Sequence, residues 1–228
     1  MVKRTLEIAC FQPTDLLLAN EAGADRLEYC RDYAVGGLTP DLASFESLRR
    51  PLSVPVLVMI RPQAGAFVYD RFTVRKMATA VRDFAAAGAD GWVWGMLDDK
   101  GRIDEWALET LATAADGGVW TFHRAFDQLQ EPLAAIEKLL EYGCSNILTS
   151  GSTTTALAGK AKLAEYAAQA AGRLRILAGG GIRSTNLEEM LDNASDFDVH
   201  SAALNAHQKI DSAEIGRLKG ILEAFKSE

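Results

Sequence analysis

Short runs of apolar and β-branched residues alternate along the whole chain with longer stretches in which apolar residues recur every three or four positions. The strand-like runs begin near Leu6, Arg26, Pro55, Gly91, Val119, Asn146, Arg175 and Phe197. Between them the spacing predicts helices over 14–22, 41–48, 73–87, 104–115, 131–142, 156–171, 185–191 and 212–226. Start signals precede several of these, as in Thr39-Pro40, in Gln130-Glu131-Pro132, and in Ser184 followed by Thr185 and Glu188. Stop signals follow others at Gly23, Gly88 and Gly143, where a left-handed cap costs glycine little.

A weak repeat marks the helix-to-strand turns. Ala22-Gly23-Ala24-Asp25 precedes the second strand, Ala87-Gly88-Ala89-Asp90 the fourth and Tyr142-Gly143-Cys144-Ser145 the sixth. Such units of roughly 28 residues close naturally into a parallel ring. The prediction is therefore an α/β protein, a single-domain (β/α)8 TIM barrel with parallel strands over residues 1–228. An open doubly wound sheet would want a glycine-rich phosphate turn after its first strand, and Cys10-Phe11-Gln12-Pro13 has no glycine. No nucleotide cofactor is expected. Linkers and low-complexity segments are absent.

Composition narrows the partners. The formal net charge is −7, and the longest basic runs are the pairs Lys3-Arg4 and Arg49-Arg50. Nucleic acid is thus excluded as a partner, because phosphate neutralisation needs clustered positive charge. No apolar stretch approaches the ~20 residues of a membrane span. Met1-Val2-Lys3-Arg4-Thr5 leads straight into a strand-like run, so a cytoplasmic protein without an export signal is expected. Cys10, Cys30 and Cys144 are odd in number and widely spaced, which reads as three buried free thiols rather than disulfides or a zinc knuckle.

Chemistry in a barrel comes from the strand C-termini and the loops after them. Glu7 and Glu28 lie within the first two strands, where a carboxylate is costly unless paired. Arg61 ends the third strand, and His123, Arg124 and Asp127 follow the fifth. Ser150 closes the sixth, Gly179-Gly180-Gly181 the seventh and His200 the eighth. Each has a structural reading as well: the glutamates as partners of Arg61 or Arg124, the histidines as satisfied core residues, the glycines as a turn. Together at one rim they suggest a site.

These strings resemble the CutC family of copper homeostasis proteins across essentially the whole chain. The resemblance is carried by Gly23-Ala24-Asp25-Arg26-Leu27-Glu28-Tyr29-Cys30, Gly36-Gly37-Leu38-Thr39-Pro40 and Met59-Ile60-Arg61-Pro62. Phe122-His123-Arg124-Ala125-Phe126-Asp127, Leu148-Thr149-Ser150-Gly151, Gly179-Gly180-Gly181 and His200-Ser201 complete it. It implies a TIM barrel, a cytoplasmic and homo-oligomeric protein, and a role in copper binding. The chain departs from that pattern at Ala9, where relatives carry a cysteine, and at Arg61-Pro62-Gln63-Ala64-Gly65-Ala66-Phe67, which lacks two of the relatives' charges. The segment after His200 is short, since Asn205-Ala206-His207-Gln208 runs quickly into the last helix.

Two functions follow. Cu(I) favours soft thiolate and thioether ligands, which would make Cys30 the metal residue with Met59 nearby. Strand alternation, however, turns Cys10 to the face opposite Glu7, leaving a single thiolate inside the barrel. The alternative is an isomerase, epimerase or lyase acting on a small anion. Glu7, Glu28 and His123 would then be its acid/base groups, and Arg61, Arg124, Ser150, Gly179, Gly180 and Gly181 its anion donors. Asp127 and His200 complete the rim. No lysine falls at an expected strand end, which disfavours Schiff-base chemistry.

Overall fold

Each apolar run forms a short strand and each periodic stretch a helix laid over it in the computed structural model, which describes residues 4–152, 154–191 and 196–225. The strands are β1 (Leu6–Cys10), β2 (Arg26–Tyr29), β3 (Val56–Met59), β4 (Gly91–Trp94), β5 (Val119–Phe122), β6 (Asn146–Thr149), β7 (Arg175–Ala178) and β8 (Phe197–Ser201). The helices are α1 (Pro13–Glu21), α2 (Leu42–Arg49), α3 (Arg71–Ala86), α4 (Glu105–Ala115), α5 (Pro132–Glu141), α6 (Lys160–Ala170), α7 (Leu187–Met190) and α8 (Ser212–Phe225). Neighbouring strands pair in parallel, and β8 returns to β1 to close the barrel. Asp41, Asp70 and Asp104 accept amide hydrogen bonds at the starts of α2, α3 and α4, and proline opens α1 and α5. Among the described residues, no helix is long and apolar enough to cross a membrane.

Three departures from the predicted pattern lie near the mouth. Helix α6 begins at Lys160 rather than at 156, because Ala156 N–H donates to Gly180 O at 2.9 Å and ties this segment to the turn after β7. Helix α7 is one turn only. The Asn186 side chain accepts from Arg183 N–H and donates to Gly181 O, each at 2.9 Å, and so holds the preceding residues as a turn. Short 3-10 turns at Tyr33–Val35 and Arg124–Gln128 follow β2 and β5. The predicted end of the last helix at 226 lies outside the described residues.

Alternation along the strands divides the core. Ile8, Cys10, Leu27, Tyr29 and Val58 join Leu16, Phe45, Val74 and Leu218 in one continuous apolar layer between sheet and helices. Inside the barrel a smaller group, Cys30, Leu57, Met59 and Val93, packs under Phe11. The interior is not apolar throughout. Arg26 donates to Asn146 Oδ1 at 3.4 Å, Asn146 to Thr121 Oγ1 at 3.2 Å, and Arg175 pairs with Asp198 at 3.1 Å. Buried polar groups are tolerated because most find partners.

Candidate active site at the barrel mouth

The parallel register sets the site. Glu7 lies opposite both Arg26 and His200, so three polar side chains from β1, β2 and β8 meet inside the barrel. Arg26 Nε donates to Glu7 Oε2 at 2.5 Å, and His200 Nδ1 meets Glu7 Oε1 at 2.7 Å. His200 Nε2 lies 3.6 Å from Glu28 Oε2. The result is a chain, Arg26–Glu7–His200–Glu28, rising toward the mouth. Its upper end is incomplete: Glu28 is 3% exposed, and its Oε1 is buried without a hydrogen-bond partner.

The two glutamates titrate in opposite directions. Burial alone would raise Glu7, but the Arg26 guanidinium and the His200 imidazole outweigh it and hold the carboxyl down at about 2. Burial raises Glu28 to about 7, the Glu7 charge adding to the shift while His200 and Arg26 moderate it. For His200, burial works against protonation, yet Glu7 and Glu28 together raise its pKa above the ordinary value. An ionised carboxylate thus orients an imidazole, whose protonated form it favours, beside a carboxyl that exchanges its proton near neutral pH.

His123 faces the same cavity from β5. Its Nδ1 accepts from Ala125 N–H at 3.1 Å, which makes the other nitrogen, Nε2, the protonated one in the neutral ring. Burial and the nearby Arg61 charge push its pKa down to about 3. His123 is therefore a neutral donor at physiological pH, and its Nε2 is buried with no acceptor. Gly95 makes room for it: a Cβ there would stand 2.4 Å from His123 Nδ1. Phe67 covers the ring at 4.7 Å between centroids, and the Arg61 guanidinium lies 4.8 Å above Phe67.

The cavity measures about 610 Å³, and its walls include Glu28, Cys30, Arg61, His123, Arg124, Asp127, Gly180, Gly181, Arg183 and His200. That volume suits a small molecule. Glu7 is 1% exposed and lies behind His200 rather than on the wall, so it orients the imidazole instead of facing a substrate. Neither Arg61 nor Arg124 pairs with a glutamate; Arg26 takes that part. Arg61 spends its terminal nitrogens on the carbonyls of Val35, Gly37 and Gly65, clasping the loops after β2 and β3 rather than offering a fork to an anion.

The expected anion donors also separate. Ser150 Oγ is held between Asp127, Ser152 O and Arg124, which leaves nothing for a ligand. The Gly179 amide donates to Thr149 O, and a Cβ at Gly179 would meet Leu148 at 2.5 Å, so this glycine serves packing. Arg124, Gly180 and Gly181 remain. Residues that sequence reasoning passed over are Arg26, Phe67, Gly95 and Arg183. Arg26 had a signal, because it stands two places before Glu28 and therefore on the same face.

Copper fits these residues poorly. Cys30 Sγ and Met59 Cε approach the same point beside Gly37, each 3.4 Å from where a Cβ would stand. They are one thiol and one thioether, and burial raises the Cys30 thiol well above its ordinary pKa. Cys10 lies in the outer layer, and Cys144 is buried with its thiol on Asn146 O, just before β6. Ligand atoms of Glu7, Glu28 and His200 gather within 4.8 Å, but two of the three are hard carboxylates, which Cu(I) disfavours, and Glu7 is already spent on Arg26.

A closed parallel barrel with its polar cluster at the strand C-termini defines a TIM-barrel protein with a mouth-facing site. The chain belongs to the CutC family, whose model matches residues 4–205. It is 34% identical to a CutC family protein of Glaesserella parasuis serovar 5, covering 93% of this chain and 88% of that one. It is 37% identical to the human copper homeostasis protein cutC homolog, over 81% of this chain and 68% of that one. A crystal structure of CutC from Streptococcus agalactiae superposes with a TM-score of 0.82 at 28% identity, covering 87% of this chain and 98% of that one.

Proposed function

We propose that this chain is an acid/base enzyme of the isomerase, epimerase or lyase type, acting on a small anionic carbonyl compound held in the barrel mouth. One observation carries the reading: the buried Glu28 carboxyl, poised at about 7, has an unpartnered oxygen. Glu28 takes a proton from the carbon next to the substrate carbonyl. The C–H electron pair moves into the new C=C bond, and negative charge develops on the carbonyl oxygen. His123 Nε2–H donates to that oxygen as a neutral imidazole, because its low pKa keeps the ring from taking up a second proton. Return of the proton from Glu28 to the neighbouring carbon, as that carbon's hydroxyl proton passes to the former carbonyl oxygen, completes an isomerisation with nothing consumed. An epimerisation instead takes a proton from water on the other face while Glu28 gives its own to water. His200, held by Glu7, steadies the Glu28 carboxylate once it has formed.

The experiment is solvent deuterium wash-in. The protein is incubated in D2O with a panel of small hydroxyketones, keto acids and their phosphate esters, and each compound is followed by NMR. Enzyme-dependent exchange at a carbon next to a carbonyl supports the reading. Exchange no faster than in buffer across the panel counts against it.

Copper binding is the competing reading, prompted by the copper homeostasis in the human relative's name, with Cys30 and Met59 as its support. One thiol and one thioether give Cu(I) little hold. The expected outcome of an anaerobic Cu(I) competition titration is equally weak binding by the wild-type protein and by Cys30→Ser. A stoichiometric site lost in the variant would restore copper as the ligand of the mouth. We place the protein in the cytoplasm, where three free thiols stay reduced.

A further inference from the structure

We infer that the anionic group of the substrate is a phosphate monoester, held by Arg124, Arg183 and the amides of Gly180 and Gly181 on the β5–β7 side of the mouth. This rests on the acid/base reading of the same cavity and assigns the chemical class that the reading leaves open.

Arg124 is aimed before any ligand arrives. Its Nε donates to Asp127 Oδ2 at 2.7 Å and its Nη2 to Ser150 Oγ at 3.1 Å. Asp127 is itself fixed, accepting from Thr149 Oγ1 at 2.5 Å and from Ser150 N–H at 3.1 Å. The remaining nitrogen, Nη1, stands 3.6 Å from the point where a side chain at Gly180 would begin. Ser150 Cβ would lie 3.1 Å from the same point, so a side chain at Gly180 would crowd this corner and press against the guanidinium.

Gly180 and Gly181 take positive φ values of 111° and 77°. The Gly180 carbonyl is spent on Ala156 N–H, whereas no described residue accepts the Gly180 or Gly181 amide. Consecutive amides in such a turn form an anion-binding concavity. Arg183, two residues on, lines the cavity and is anchored through Nη2 to Leu204 O. With Asp127 offsetting one arginine, this corner keeps the charge of the other.

The donors come from separate pieces of chain: the turn after β5, the turn after β7 and the start of the segment leading to α7. A carboxylate presents two oxygens in one plane and is served by a single arginine fork. The Arg124 fork is already occupied by Asp127 and Ser150. A group with three outward oxygens can accept from Arg124 Nη1, the two amides and Arg183 together. The reacting groups, Glu28 and His123, belong to β2 and β5, so the phosphate would anchor one end of the substrate and leave the carbonyl to them.

The test is calorimetric titration of the intact chain with inorganic phosphate at pH 7.5, beside acetate as the planar control. Phosphate should bind saturably and at least tenfold more tightly than acetate. Arg124→Gln should weaken phosphate at least tenfold and Arg183→Gln severalfold. Arg124 also braces Asp127 and Ser150, so if that variant fails to fold the comparison rests on Arg183→Gln. No saturable phosphate binding, acetate binding as tightly, or wild-type affinity in Arg183→Gln would each overturn the assignment. Phosphate binding in a protein silent in deuterium wash-in would sustain this inference and fail the acid/base reading. Exchange on unphosphorylated compounds without phosphate binding would do the reverse.

Discussion

Glu28→Gln is expected to slow deuterium wash-in by about 10²–10⁴-fold, the contribution typical of a positioned general base. The substitution keeps the shape of the side chain but removes its capacity to take a proton, along with the charge beside His200. Stability should move the other way. The folded pKa, about 7, lies above the ordinary carboxyl value, so between pH ~4.5 and ~7 the folded state holds a proton the unfolded chain has lost. Ionising Glu28 therefore costs the wild type stability as pH rises through that window, and the glutamine variant escapes the cost. At pH 8 its melting temperature should match or exceed that of the wild type. A variant with full exchange activity would remove Glu28 from the mechanism, and one that melts far lower at pH 8 would make it a structural ion.

Glu7→Ala is expected to cost stability on the order of 3–5 kcal/mol, because it leaves the Arg26 guanidinium buried without its carboxylate. For a chain of this size that is a fall in melting temperature of roughly 10 °C or more. Glu7 is held at about 2, below its unfolded value. Its stabilising contribution is thus complete above pH ~4.5 and lost as pH falls toward 2, so variant and wild type should converge in acid. His200 also loses its orienting partner, so exchange activity should fall even where the variant stays folded. Thermal unfolding followed by circular dichroism between pH 2 and 8 measures this. An unchanged melting temperature at pH 7 would show that Arg26 finds another partner.

The barrel was legible because its signals are local: apolar runs every few tens of residues, with glycine and proline punctuation between them. The rim residues were legible as exceptions to that pattern, and alternation correctly sent Cys10 outward and Cys30 inward. Their partners were not, because pairing across a barrel depends on register. Glu7 meets Arg26 because the strands are offset to put them side by side, an offset that periodicity does not report. Arg61 looked like the natural counter-ion by charge, yet its reach carries it over the mouth to the carbonyls of the β2 and β3 loops. Gly95 gave no sign of its part either, since only the approach of His123 shows why a side chain is excluded there. Ser150 and Gly179 stood at the right height in sequence, but hydrogen bonds within the rim consume them.

The titration of Glu28 itself decides whether this carboxyl exchanges a proton near neutral pH. With ¹³C-labelled glutamate and the Glu28→Gln variant to assign the signal, the side-chain carboxyl shift is followed by NMR from pH 4 to 9. A midpoint near 7 is predicted, with Glu7 remaining ionised throughout. A Glu28 midpoint at the ordinary carboxyl value near 4 would contradict the account, because the group would then be an ion-pair partner of His200 with no proton to exchange at neutral pH.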